Sequence, residues 1–386
     1  MRVLFLIPHH REGASSRYRV LQYVPHLEAQ GIRCAVSPFL SSEFHRIAYQ
    51  QGGWGNKIGQ FLLSSCRRLR DVMRSGSYDV VFIHLEAFPL GPPVIEWFFS
   101  LRGVPIVFDL DDALFLPRDG TVYPMLKWLR MPQKIPAILR WSRCVITTND
   151  HLRTYAQQFN AHVSVIPTCV DIRQFTVPMH RPQRARPLLG WVGSHSTAPY
   201  LELVKPVLAR LAERYAFTFR IVGSLRPFRV PGVEVIQVPW SLANEVTSFQ
   251  ELDVGVYPLP TAPWVLGKAG FKAIQYMAVG VPCVASDVGR NREIIQDGVN
   301  GLLASSQEEW YAKLAQLLTD PLLCQRISLA GRKTVEERFA NHLYVSSYVE
   351  ILHGAARSRA RRATVSAGGP QPPLARQHSP REVRPV

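Results

Sequence analysis

Short runs of consecutive apolar residues, each closing on small or polar residues, constrain the fold of this chain more than any other feature of its sequence. The first covers positions 3–7. A run without apolar–polar alternation has to be buried on both faces, the condition of a strand inside a parallel sheet that carries helices on both sides. Comparable runs lie at 33–38, 78–85, 104–110, 145–148 and 163–167, separated by irregular or helix-like stretches. Beyond Asp171 the chain passes through TVPMHRPQRARP, a Pro- and Arg-rich segment without periodicity. The pattern then restarts at 188–192 with a strand, a small-residue turn and a helix. Further strands are predicted at 217–222, 233–237, 252–257 and 282–286. The expected architecture is α/β, with two doubly wound Rossmann-like domains and a cleft between them. Residues 1–172 form the first domain, 173–187 the linker and 188–334 the second domain. Positions 335–354 are helical, and 355–386, rich in Arg, Pro, Gly and Ser, are expected to be disordered.

A chain of 386 residues suits two domains that each bury a core, and 47% apolar residues suit a soluble one. The formal net charge is +16, of which +6 sits in 355–386, where seven arginines face one glutamate. The remainder asks for an anionic partner: a phosphorylated substrate, an acidic membrane surface or nucleic acid. A nucleic-acid binder would show a basic strip with stacking aromatics on one face. Here the arginines gather in the tail and in loops, so nucleic acid is not expected as a partner. The six cysteines are scattered, with no C-x-x-C pair and no histidine at zinc spacing, and read as free thiols. The opening MRVLFLIPHH is too short an apolar run for a secretory signal, and no stretch reaches the ~18 consecutive apolar residues of a membrane span. A cytoplasmic location follows as an expectation, with membrane contact peripheral at most. Two stretches favour contact with an anionic membrane. Positions 57–74, KIGQFLLSSCRRLRDVMR, alternate apolar and basic residues at helical spacing. Positions 123–143 set Trp128 and Trp141 beside Lys127, Arg130, Lys134 and Arg140. An amphipathic helix facing the core is the second reading of each.

Candidate chemistry collects where the strands end. Lys268, Lys272 and Gln275 fall at i, i+4 and i+7, one stripe of a helix predicted to open near Gly267. Cations in the opening turns of a helix are disfavoured by its dipole, by roughly 0.3–1 kcal/mol each, unless an anion is bound. A phosphate resolves the conflict, because backbone N–H groups and two ammonium groups then converge on it; a solvated lysine face is the plainer alternative. In the first domain the strand at 3–7 is followed by Gly13, Ser15, Ser16, Arg17 and Arg19, leading into a helix to Leu27 with Ser15 or Ser16 as N-cap. Strand, Gly/Ser loop and helix make the phosphate-friendly first unit of a doubly wound domain, although the loop is not G-x-G-x-x-G and implies no dinucleotide. His84 and Glu86 close the strand at 78–85; Asp109, Asp111 and Asp112 close the one at 104–110, where open parallel sheets place their chemistry. Asp109-Leu-Asp111 can also be read as a D-x-D site for Mg²⁺.

From Asp253 onward the motifs resemble one known family. DVGVYPLP, Trp264, Gly267-Lys268-Ala-Gly-Phe-Lys272, Gln275-Tyr-Met-Ala-Val-Gly280 and Glu293-Ile-Ile-Gln-Asp-Gly298-Val-Asn-Gly301 follow in order. They are similar to the donor half of the retaining family 4 (group 1) glycosyltransferases, strongly over 188–304 and more loosely before it. The resemblance implies the GT-B fold, with a last helix that crosses back to the first domain. It also implies transfer of a hexosyl-type sugar, with retention, from a nucleotide-diphosphate sugar to a glycan or lipid-linked acceptor, with no cofactor and no metal. Lys268 and Lys272 would hold the departing diphosphate, and one carboxylate of Asp109, Asp111 or Asp112 would orient the sugar or the acceptor hydroxyl. Gly13, Ser15, Ser16 and Arg17 would face the donor phosphates across the cleft; Arg19, His84 and Glu86 would lie toward the acceptor. Gly193 and Ser194 would offer backbone N–H groups to the diphosphate, with His195 where a basic residue is common. Trp264 belongs to the donor motif. Trp240 falls where relatives hold the base, with a core or lid tryptophan as the second reading. One departure stands out: the family carries two glutamates eight positions apart, and here those positions are Gly267 and Gln275. Gln275 can hold a ribose through its amide, whereas Gly267 cannot grip a sugar. A catalytically silent nucleotide-sugar-binding partner protein is therefore the alternative reading, and a GT-B epimerase or phosphorylase the nearest enzymatic one. Family habit and the basic stretches add an expectation of envelope polysaccharide or glycolipid assembly at the inner face of a bacterial membrane.

Overall fold

Along β1 (Arg2–His9) the side chains divide by parity: Val3, Phe5 and Ile7 enter one core, Leu4 and Leu6 another, and all five are buried. A strand claimed by apolar layers on both faces cannot lie at a surface, so helices cover the sheet on both sides. The computed structural model describes residues 1–48, 52–116, 131–180 and 184–367. β1 is joined by β2 (Arg33–Leu40), β3 (Val80–His84), β4 (Ile106–Leu110), β5 (Cys144–Thr147) and β6 (Val163–Val165) in the order β2-β1-β3-β4-β5-β6. A second sheet holds β7 (Leu188–Val192), β8 (Thr218–Val222), β9 (Glu234–Val238), β10 (Val254–Tyr257), β11 (Cys283–Ser286) and β12 (Leu302–Ala304) in the order β12-β11-β10-β7-β8-β9. The strand pairs in both sheets are parallel. Parity recurs in β7, where Leu188 and Val192 face one core and Leu189 and Trp191 the other. These are the two doubly wound domains expected from the sequence. The order reverses between β1 and β3 in the first sheet and between β7 and β10 in the second. At such switch points the loops leaving the strands' carboxyl ends diverge and leave a crevice, so the loops after β1, β3, β4, β7 and β10 are placed to form a site.

Several helices depart from the sequence reading. Neither Ser15 nor Ser16 caps the helix after β1: Gly13 stands at the cap, both serines lie within Ala14–Ser16, and Ser16 Oγ accepts from the His9 N–H at 3.3 Å. The basic stretch 57–74 folds as the helix Trp54–Met73, but Lys57 and Arg68 turn inward. Arg68 is fully buried and donates to the carbonyls of Ile7, Ser37 and Ala87. In the stretch 123–143, residues 123–130, with Lys127, Trp128 and Arg130, lie outside the described residues. Lys134 is buried and paired with Glu86 at 2.8 Å. The helix Val345–Ala367 runs past position 355, where disorder was expected. Its alanines and arginines are strong helix formers, and Ala355 joins Tyr348 and Leu352 in the core beneath β1 and β3. Residues 368–386 lie outside the described residues.

At the centre of the first domain Arg19 and Asp109 form an ion pair with both side chains 0% exposed. Arg19 Nε donates to Asp109 Oδ2 at 3.1 Å, Nη2 donates to Oδ1, and Nη1 donates to the carbonyl of Ile166 at 2.6 Å. His84 Nδ1 lies 2.7 Å from Asp109 Oδ2, and the Tyr348 hydroxyl donates to the Arg19 carbonyl at 2.9 Å. Burial pushes the Asp109 carboxyl up; Arg19 and then His84 outweigh it and leave the group below the usual carboxylate range. Asp109→Ala should cost about 3–5 kcal/mol of stability, the penalty for leaving a buried cation unpaired. The double variant Arg19→Met/Asp109→Leu should recover much of it, read as urea and thermal midpoints. Because the folded-state pKa is depressed, this contribution is complete above the ordinary carboxylate range and is lost as pH falls through it and below. The gap between wild type and Asp109→Ala should narrow in acid.

Candidate active site

The second domain supplies cations. After β10 the chain makes a short turn, Pro263–Gly267, and Lys268 follows in extended backbone. The helix Phe271–Ala278 begins only after Gly270, at φ +66°, where a Cβ would stand 2.4 Å from Ile294 Cδ1. Lys268 therefore precedes the helix, and the expected stripe of Lys268, Lys272 and Gln275 does not form. Gln275 is buried in the helix. Lys272, in the first turn, reaches the loop after β7: a Cβ on Gly193 would lie 2.8 Å from Lys272 Cε. Its ammonium sits 5.6 Å from the centroid of the Trp191 ring and 5.3 Å from that of Tyr257. Burial, with the charge of Lys268 second, pushes Lys272 down from the ordinary 10.5 to about 7. The two ring faces favour the cation and oppose that shift. The Gly193 N–H is committed to the carbonyl of Val222 at 3.0 Å, because it continues the β7–β8 ladder, and is not available to an anion as expected. Ser194 and His195 are exposed beyond it, with His195 Nδ1 3.5 Å from Ser224 Oγ.

The first domain meets these groups with acids and amides. Asp112 Oδ2 accepts from Lys268 Nζ at 2.9 Å, and its Oδ1 from the Ala113 N–H at 2.8 Å. Asn149 caps the helix Asp150–Gln157 through the Leu152 N–H and also donates Nδ2 to the carbonyls of Leu266 at 3.1 Å and Lys268 at 3.3 Å. Gly267 lies against Ala113, where a Cβ would stand 2.7 Å from the alanine's own. A glutamate at 267 would collide with the first domain in this arrangement. Arg17 makes a second contact across the cleft: Nη2 donates to Glu245 Oε1 at 2.5 Å, and the guanidinium lies 5.1 Å from the centroid of the Trp240 ring. Trp264 packs at 30° against Tyr200, ring centroids 5.6 Å apart, with Lys268 Nζ 5.5 Å from its own centroid.

The remaining acids separate into two groups. Asp109 is consumed by Arg19 and His84, which also removes Arg19 from the cleft it was expected to face. Glu86, expected toward the acceptor, is paired with Lys134 at 2.8 Å. With both Asp109 oxygens occupied, the D-x-D reading retains only Asp111 and Asp112. No cluster of three or more His, Cys, Asp or Glu side chains forms a metal-type site among the described residues. Asp111 lies 4.0 Å from His84 Nε2. Burial raises its carboxyl, with His84 opposing and Asp109 and Asp112 adding to the rise. His84 Nε2 is buried and has no hydrogen-bond partner among the described residues. Lys268, Lys272, Asp112, Gly193, Gly267 and Trp264 thus meet at the two switch points, and Arg17 and Trp240 meet beside them. Asn149 and Glu245 escape a sequence reading, since one presents itself as a helix cap and the other as an ordinary first-turn acid. The arrangement is suited to stabilising negative charge: two ammonium groups within electrostatic reach of each other, one of them desolvated enough to interact strongly with an anion.

Comparison with known proteins bears on the two domains and their fold. Residues 2–169 match the family model for a glycosyl transferase 4-like domain, and residues 186–320 match that for glycosyl transferases group 1. A curated relative in Bacillus subtilis (strain 168), "Putative glycosyltransferase EpsD", is 33% identical over 84 residues, a stretch spanning 21% of this chain and 22% of the relative. Sucrose-phosphate synthase from Thermosynechococcus elongatus has a similar structure, with TM-score 0.65 and 16% identity over 95% of this chain and 100% of its own. Anabaena Alr3699/HepE, solved with UDP and glucose, gives TM-score 0.66 and 15% identity over 92% of this chain and 100% of its own. At such identities the two structures speak for the fold alone. Matched by glycosyltransferase models over both domains and folded as two facing Rossmann-like units, this chain is a GT-B glycosyltransferase.

Proposed function

We propose that the enzyme moves a hexosyl-type sugar from a nucleotide-diphosphate sugar to a glycan or lipid-linked acceptor, with retention and without a metal ion, in envelope polysaccharide or glycolipid assembly at the inner face of a bacterial membrane. The observation that carries this reading is the approach of two ammonium groups, with Lys272 against the loop after β7 and Lys268 near enough for its charge to act on Lys272. In the transfer, the bond from the anomeric carbon to the phosphate oxygen breaks and its electron pair leaves with the diphosphate. The acceptor oxygen bonds to the same face of the sugar, and its proton passes to the leaving phosphate. The enzyme's task is then to stabilise charge on the diphosphate, which two ammonium groups do more strongly in a desolvated site than in water. Lys268 exchanges Asp112 for phosphate, and the released carboxylate is placed to orient a sugar or acceptor hydroxyl. His84, with Nδ1 anchored on Asp109, offers Nε2 to a hydroxyl. The UDP held by the Anabaena relative makes a uridine nucleotide the first donor to test. The second reading, a silent binding partner, is motivated by the absence of a carboxylate at Gly267; turnover of a nucleotide sugar, by transfer or slow hydrolysis, would remove it.

Calorimetry with UDP, GDP and ADP should find one nucleotide that binds without metal, and Lys272→Ala should weaken it roughly ten- to a hundredfold, the worth of a charge-assisted contact. Binding only in the presence of Mg²⁺ would return the reaction to Asp111 and Asp112. Because Lys272 titrates near 7 in the protein and an anion favours its charged form, binding above that pH should take up a proton. Affinity should accordingly fall as pH rises from about 7 toward the ordinary lysine value of 10.5. Titrations in buffers of different ionisation heat should show that uptake in wild type and not in Lys272→Ala.

A further inference from the structure

Arg290 is a buried cation without a counter-ion. It stands in the loop after β11 and is 8% exposed. Among the described residues its Nε and Nη1 have no hydrogen-bond partner, and no carboxylate pairs with it. The backbone around it fixes its place in the fold. A Cβ on Gly289 would meet the carbonyl oxygen of Val265 at 3.0 Å, and one on Gly270 would lie 3.8 Å from the carbonyl carbon of Arg290. The loop is therefore packed against the turn that carries Lys268. The side chain serves the hinge instead, within electrostatic range of Cys169, which follows β6, of Tyr344, which precedes the last helix, and of Arg19. Burial lowers the guanidinium from its ordinary range; the exposed Glu293 opposes that, and Arg19 adds to it.

The hinge is short of acceptors. The Val170 N–H donates to the Phe339 carbonyl and the Asn341 N–H to that of Val170, which ties the segment 168–171 to 339–341. On these two segments Thr168 Oγ1 and Asn341 Nδ2 are buried and likewise without a partner among the described residues. Guanidinium and amide nitrogens can only donate, and a hydroxyl can. Buried donors left without an acceptor are costly, and an unpaired buried cation more so. Arg19 is already neutralised by Asp109, so the cluster keeps one positive charge. We propose that a small monovalent anion of halide size binds at the hinge, between Arg290 of the second domain and the segments that carry Thr168 and Asn341. Such an ion matches the single charge, asks only for donors around it and fits an enclosed site. A nucleoside diphosphate meets neither the charge nor the size. Because its partners come from both sides of the hinge, the anion favours the arrangement in which they meet. The site shares no residue with the donor site, and the inference does not depend on the proposed transfer.

The test compares thermal midpoints of the full-length protein in sodium chloride and in sodium gluconate at equal ionic strength, for wild type and Arg290→Met. It also locates bromide by anomalous diffraction in soaked wild-type crystals. Gluconate is too large for the hinge. Chloride should raise the wild-type midpoint over gluconate by about 2 °C or more beyond the same difference in Arg290→Met. In gluconate the variant, with no cation left unpaired, should melt no lower than wild type. Bromide should lie within hydrogen-bond distance of the Arg290 guanidinium. Should Arg290→Met not fold, Arg290→Lys, which keeps the charge and loses the fork, takes its place with a reduced chloride response. Equal responses of wild type and variant, or no bromide at Arg290, would overturn the proposal, and ordered water would then satisfy these donors. Bromide there without the difference in midpoint would be an adventitious ion only and would overturn it as well. So would Arg290→Met melting below wild type in gluconate, since Arg290 would then be satisfied without an anion.

Discussion

The buried pairing of Arg19 with Asp109 is the constraint on which the cleft depends. Two ions removed from water are tolerated only if nearly every polar atom finds a partner. All three guanidinium nitrogens of Arg19 and both oxygens of Asp109 do so. The partners come from the helix after β1, from β3 and β4, and from the strand end at Ile166, while Tyr348 of the last helix holds the backbone of Arg19. A hydrophobic core would accept small slips among these elements; a fully satisfied ionic one does not. The pair also sets the orientation of His84, since its Nδ1 lies on Asp109 and Nε2 is left toward Asp111. The loop after β1 stands directly before Arg19, so the position of Arg17 follows from the same anchor.

The two domains are joined in two physically different ways. The last helix belongs to the first domain's apolar core through Tyr348, Leu352 and Ala355, and parting it would expose large side chains at roughly 1.5–3 kcal/mol each. Across the cleft the contacts are mixed: Lys268 pairs with Asp112, Arg17 with Glu245 and Asn149 with two carbonyls, while the Tyr18 ring packs 4.4 Å from that of Phe271 in the second domain's core. Of the two ion pairs, Lys268 with Asp112 is the more exposed, and water or a bound anion replaces it more readily than the largely buried Arg17–Glu245 pair. Lys268 with Asp112 is therefore the readily exchanged contact, as suits an enzyme whose substrates have to enter between the domains.

Much of this was legible in the sequence because burial on both faces of a strand leaves no alternation, and the runs at 3–7 and 188–192 announced both sheets. β12, with three residues, is too short to be distinguished from a loop. The helix after Gly270 was expected to open near Gly267, since a spacing of four between lysines looks helical whether or not the backbone complies. What decides it is the left-handed glycine at 270 and the extended backbone of Lys268. Arg19 and Asp109 both looked like site residues because charged side chains at strand ends usually are. Only the fold shows that they neutralise each other. The helix Trp54–Met73 departs from one of its two readings, the core-facing one: periodicity fixes which residues share a face and not which face points inward. Arg68 and Asp71 are drawn in by the carbonyls of Ile7, Ser37 and Ala87 and the hydroxyl of Ser37, partners distant in sequence.

The same distinction bears on Gly267. Read along the chain, it is a lost carboxylate. In the fold, the space a side chain would need is filled by Ala113, and the neighbouring Asp112 brings a carboxylate to Lys268 from the other domain. A glutamate on the donor domain would accompany the nucleotide sugar whether the cleft were open or closed. An aspartate on the first domain arrives only when the domains meet. In the proposed reaction, the acid that orients the sugar would then be absent from the open enzyme, and a bound donor would be protected from water until closure completed the site. The glycine is what permits that approach, because any side chain at 267 would hold Asp112 and Lys268 apart.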